Sequence, residues 1–141
     1  MSRTAGAPSR GRDRGSLTVA LMLVVVVALG GAALIVDGGR AMAARRHAAN
    51  TAEAAARFAA STESLRSGFD PDRAREAVVS YAMRSGVAAD DVDVEFRMDS
   101  DGRPTVHVTI TEHRTAVFLV LGGRERISVQ ARGSARFVYR S

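Results

Sequence analysis

The sequence contains no cysteine, which excludes disulfide frameworks, thiolate zinc sites and thiol catalysis. Lysine is absent too: all 20 positive side chains are arginine, the bias of a GC-rich genome. A phosphate-cradling glycine-rich loop with its lysine is therefore missing, as is a Gly-x-Ser-x-Gly nucleophile elbow. Carboxylates are present but scattered, as Glu63, Glu76 and Glu95 illustrate, and no pair has a spacing that suggests acid–base work. The histidines His47, His107 and His113 lack the spacing of a metal site. His47 is expected on the polar side of a helix, His107 facing water on a strand and His113 in a charged loop. No enzyme, cofactor or small-molecule substrate is expected.

The net charge of +5 invites a nucleic-acid reading, but its distribution argues otherwise. Arg3, Arg10, Arg12 and Arg14 against Asp13 give residues 1–16 a balance of +3, leaving +2 for the remainder, where acids and arginines are interspersed. A nucleic-acid binder should show a basic face or stripe. Here the basicity is a tail, and a hydrophobic run follows it.

That run is the strongest feature present. Leu17–Val36 is 20 residues without a charge, twelve of them Leu, Val or Ile. About 20 apolar residues cross a bilayer core of about 30 Å. At roughly −0.3 to −0.6 kcal/mol each, those twelve favour insertion by about 4–7 kcal/mol before Gly and Thr subtract. A buried core helix is usually shorter and amphipathic. The expected organisation is a basic cytoplasmic leader (1–16), a transmembrane helix (17–36) and an exported domain (37–141), with the N-terminus inside and the C-terminal domain outside. Ala41-Met42-Ala43 has the small-x-small spacing of a signal-peptidase site, so a soluble domain released after Ala43 is an alternative. Asp37 and Arg40 separate that site from the apolar run, which is itself longer than an ordinary signal-peptide core.

Ala41 to Leu65 is rich in Ala, Arg and Glu and free of Pro, so the helix is expected to continue out of the span. Ala41, Ala44, Ala48, Ala52, Ala55 and Ala59 recur at steps of three and four, drawing a smooth stripe against which another element can pack closely. Gly38 and Gly39 are its weak point and a candidate hinge. Asp70-Pro71-Asp72 supplies a cap and an N1 proline for a second, short helix ending near Gly86, with Ala74, Ala77, Val78, Tyr81 and Ala82 on its apolar face.

Three period-two segments follow. Val92, Val94, Phe96 and Met98 form the first; Val106, Val108 and Ile110 the second; and Ile127, Val129, Ala131, Gly133, Ala135, Phe137 and Tyr139 the third. Asp99-Ser100-Asp101-Gly102 joins the first two as a hairpin turn; it mimics the start of a calcium loop but lacks the later ligands. Ala116–Leu121 fits a buried strand or a short helix, and periodicity does not separate them; contact with the membrane surface or a neighbouring subunit is a further alternative. The fold class is α+β, with the alanine stripe covering a small antiparallel sheet.

Arg14-Gly15, Thr18-Val19, Asp37-Gly38-Gly39-Arg40, Ala43-Ala44-Arg45-Arg46 and Ala49-Asn50-Thr51-Ala52-Glu53-Ala54-Ala55-Ala56 together resemble the TadE/TadG-like proteins of tight-adherence (Flp) pilus systems. The resemblance is specific over about residues 14–60. It implies a pilin-like fold and a minor pseudopilin or pilus-assembly component of the envelope. Its partners would be the membrane, other pilus subunits and assembly-platform proteins. It also implies Gly15-Ser16 as the processing position, although the glutamate that processed pilins carry five residues after the cleavage glycine is here Ala20. The extra domain of larger TadG-like members is not expected within these 141 residues. Residues expected to serve helix packing or assembly are Asp37, Gly39, Arg40, Ala41, Ala44, Ala48, Ala52, Ala55 and Ala59. Asp37 either caps a packing contact or pairs with Arg40. A membrane-tethered envelope-binding domain unrelated to pili is the remaining alternative.

Overall fold

In the computed structural model, residues 13–64, 69–116, 123 and 126–138 are described. The basic leader up to residue 12, Tyr139 and all of Ala116–Leu121 beyond its first residue lie outside them.

The long apolar and alanine-rich segments form one helix, α1 (Asp13–Ser64), which passes through Gly38 and Gly39 without interruption. Two glycines cost about 2 kcal/mol of helix propensity, which flanking helix formers offset. The chain divides into two units, Met1–Val36 and Asp37–Ser141.

Within the second unit, α2 (Pro71–Arg84) begins as its sequence predicts. The Asp70 carboxylate accepts from the backbone N–H groups of Asp72 (3.0 Å) and Arg73 (3.3 Å), and Pro71 takes the position where no N–H is needed. It ends in a Schellman motif: Gly86 N–H donates to Met83 O at 3.0 Å and Val87 N–H to Ala82 O at 3.1 Å. The motif needs a left-handed residue, and Gly86 supplies it at φ +87°. Val87 is then buried, closing the helix end over the core.

After a single 3₁₀ turn (Ala89–Asp91) come β1 (Val92–Met98), β2 (Pro104–Thr115) and β3 (Arg126–Arg136), an antiparallel sheet in the order β1-β2-β3. The register pairs Val94 with Val108, Val106 with Ala135 and Ile110 with Ala131, so the apolar sets share one face. Gly102 (φ +71°) makes the β1–β2 turn, closed by Asp99 N–H to Arg103 O at 2.8 Å. The fold is therefore α+β, as the periodicities indicate.

Two boundaries and one side chain's burial differ from expectation. Strand β2 runs on to Thr115 because β3 pairs with it from Thr105 to Thr115, so His113 lies in a strand rather than a loop. Strand β3 stops at Arg136, and Phe137 leaves the ladder to donate to Pro104 O at 3.0 Å while its ring is fully buried. Met98, although in phase with Val94 and Phe96, is 72% exposed: it pairs with Pro104 in the last rung of the β1–β2 ladder.

Candidate functional site

Two surfaces carry the functional argument. The first is the apolar part of α1. From Leu17 to Val36 every residue but the half-buried Ala33 is exposed. Soluble monomers rarely expose contiguous apolar patches above a few hundred Å². An all-round apolar helix in water loses the favourable transfer of every Leu, Val and Ile on it. The helix is long and apolar enough to cross a membrane.

The second surface is where α1 beyond Asp37 meets the sheet. Ala44, Ala48, Ala52, Ala55 and Ala59 are buried, together with Ala56, Ala60 and Thr51, so the buried face is two side chains wide. Ala41 is half-buried, whereas Gly39 and Arg40 are exposed. All of these buried alanines except Ala44 share one core with Val94, Val106, Val108, Ile110 and Phe137 and with Val78 and Ala82 of α2. The approach is closest at Gly133 of β3. A Cβ there would stand 2.5 Å from the Ala52 carbonyl carbon and 2.6 Å from Glu53 Cα, well inside van der Waals contact. Helix backbone and sheet backbone touch directly, which requires alanine on one side and glycine on the other. Below this contact Phe69 joins Phe96 and Phe137 in an aromatic cluster, with ring centroids 5.4 and 4.8 Å from it.

Three acidic side chains are buried around this interface, and each continues an apolar pattern. Asp37 stands four residues before Ala41, in phase with the stripe; it is buried and partnered, and among the described residues no ion pair joins it to Arg40. Glu63, four residues after Ala59, is 2% exposed; its carboxylate accepts from Asp70 N–H at 3.4 Å and faces Arg73 Nε at 3.6 Å. It thus ties the end of α1 to the start of α2, so that α2's first turn is held from both sides. Glu112 follows Ile110 on the inner face of β2; it hydrogen-bonds His47 Nδ1 and accepts from Arg114 Nη2 at 2.8 Å. A buried carboxylate is tolerated only with such partners. Extending the alanine stripe and the strand alternation by one repeat at each end would have identified all three.

His47 therefore sits at the margin of the stripe, half-exposed and engaged across the interface, and not simply on a polar side. His113 bonds Ser128 Oγ (2.8 Å) and Asp91 Oδ1 (3.2 Å), tying β2 to β3 and to the 3₁₀ turn. His107 is half-buried on the outward face of the sheet. The hairpin acids Asp99 and Asp101 pair with Arg136. Among the described residues no group of three or more His, Cys, Asp or Glu side chains is placed to hold a metal ion.

No curated protein and no solved structure matches the chain. A family model does. Residues 15–62, the apolar segment together with the alanine face, match the putative Flp pilus-assembly TadE/G-like family.

Proposed function

We propose that this chain is a membrane-anchored component of a Flp-type pilus or related secretion apparatus, acting in assembly as a minor pseudopilin-like subunit. The observation that carries the reading is the apolar stretch Leu17–Val36, exposed around its whole circumference inside the family-matched segment. A surface of that kind needs either lipid or like helices around it. In this reading lipid holds the subunit in the cytoplasmic membrane, with residues 1–16 inside and residues 37–141 outside. Packing against the helices of other pilus subunits or assembly-platform proteins then replaces lipid during assembly. Association between helices in a bilayer depends on close packing rather than on hydrophobic transfer, and Ala28, Gly30, Gly31, Ala32 and Ala33 provide small side chains in the span.

The role is structural and not enzymatic, since the polar clusters described serve as ties between elements. Gly15-Ser16 is the position where a processing peptidase would act.

The reading is tested by exchanging Leu17–Val36 for an unrelated apolar span of equal length and by site-specific photo-crosslinking from Val25 and Leu29. Loss of pilus assembly with the membrane fraction unchanged, and crosslinks to other pilus or secretion components, are expected. Full function with the foreign span, and no such crosslink, would leave a tethered binding domain as the better reading.

A further inference from the structure

We propose that the groove between the early turns of α1 after Asp37 and the end of β2 binds the phosphate of an anionic phospholipid headgroup. This rests on the membrane-anchored reading above. The groove has a volume of about 510 Å³ and is lined by Arg40, Ala43, Ala44 and His47 from α1 and by Arg114 and Thr115 from β2.

Among the described residues that line it, the formal charges are both positive, those of Arg40 and Arg114. Among the described residues Arg40 enters no ion pair, and Arg114 uses Nη2 on Glu112, leaving further guanidinium donors. The Glu112 carboxylate is itself buried and already engaged by His47 and Arg114, so it does not present a competing negative charge to the groove. Ala43, Ala44 and Thr115 are short, which leaves room between two arginines that can each grip a phosphate in a planar fork.

Position along the chain selects the source of the phosphate. Arg40 follows Val36 by four residues, so whatever the local geometry it stands within about 14 Å of the end of the apolar stretch. That is the headgroup layer plus the reach of an arginine side chain. The sequence leaving this end of β2, Ala116–Leu121, is wholly apolar and is bracketed by Arg114 and Arg124, a composition suited to a bilayer surface. Soluble anions reach any surface arginine; only a lipid phosphate is delivered to this one by the anchor itself.

The test uses the full chain in nanodiscs of equimolar phosphatidylglycerol and phosphatidylcholine, released into the gas phase for native mass spectrometry. Both lipids carry the phosphate, but the choline ammonium neutralises it and is repelled by the two arginines. Wild type should therefore retain phosphatidylglycerol in preference to phosphatidylcholine, and Arg40→Gln should lower that preference about fivefold. Arg45→Gln, on the same helix but outside the groove lining, should change it by less than about twofold. Equal retention of the two lipids by wild type, or equal losses from the two variants, overturns the groove. Inorganic phosphate in large excess should leave the retained lipid in place; its displacement would assign the groove to a free anion and overturn the lipid source. Carbonate extraction from cells reads the anchor separately. A chain released as soluble protein sinks the anchored reading, whereas a membrane-retained chain without lipid preference sinks only the groove.

Discussion

Replacing Gly133 by alanine should be among the most damaging single changes to the folded unit, although it adds one methyl group to a strand. The new Cβ would lie 2.5–2.6 Å from backbone atoms of Ala52 and Glu53, against an optimum of about 3.5–4.0 Å between carbons. No rotamer change relieves this, because the obstructing atoms are main chain. The helix must retreat from β3 by about 1 Å, and a gap of that size forfeits a quarter to a half of each dispersion contact along it. Overpacking ordinarily costs about 1–3 kcal/mol, and with both backbones fixed the upper end applies, about 3 kcal/mol. For a unit near 100 residues that corresponds to roughly 12–24 °C in melting temperature. The assay is pulse proteolysis of the full chain in detergent across a urea series, with hydrogen exchange along β2 and β3 as the local readout. Ser134→Ala, one residue on and facing outward, serves as the comparator and should stay within about 0.5 kcal/mol. Adding Ala52→Gly should fail to rescue Gly133→Ala, since the clash is with the main chain of that position and not with its methyl group. A Gly133→Ala protein as stable as wild type, or one rescued by the Ala52→Gly change, would refute the close-approach argument.

Asp70→Ala removes the α2 cap and should cost about 1 kcal/mol, seen as faster exchange of the Asp72 and Arg73 amides. Glu112→Ala should cost only about 1 kcal/mol despite the burial of Glu112, because His47 and Arg114 are about half exposed and regain water; urea unfolding checks it. Val26→Arg places a charge in the middle of the apolar stretch at about 2.5–3.5 kcal/mol, against about 4–7 kcal/mol of favourable insertion, and should shift much of the chain out of the carbonate-resistant membrane fraction.

The elements were legible because each rests on a strong local signal: an uncharged apolar run, an Asp-Pro helix start, and period-two alternation around a turn. The steps of three and four in the alanine stripe put its members on one helix face, and Ala44, Ala48, Ala52, Ala55 and Ala59 of that face are buried. What was less legible depended on two elements at once. Gly133 reads in sequence as a weak member of an apolar alternation, and only the crossing of α1 shows why nothing larger fits. Glu63 and Glu112 fall in phase with the alanine stripe and the strand alternation, but the partners that make their burial tolerable, Arg73, Asp70 and His47, arrive from elsewhere in the chain. His113 reads as a loop residue because its neighbours are charged, whereas pairing with Ser128 holds it in the sheet.

An alanine face is nearly featureless along its length. Sliding α1 by one turn, about 5.4 Å, would bring Ala48 towards the place of Ala52 and Ala55 towards that of Ala59, presenting the sheet with almost the same relief. Apolar burial alone therefore leaves several helix positions close in energy, like a vernier without its zero mark. The mark is polar: His47 with Glu112 near one end of the contact and Glu63 with Arg73 and Asp70 at the other are matched in only one setting. These side chains add little to the depth of the energy well and much to its uniqueness. A protein stripped of both ties should keep its secondary structure and compactness while its helix samples more than one alignment on the sheet.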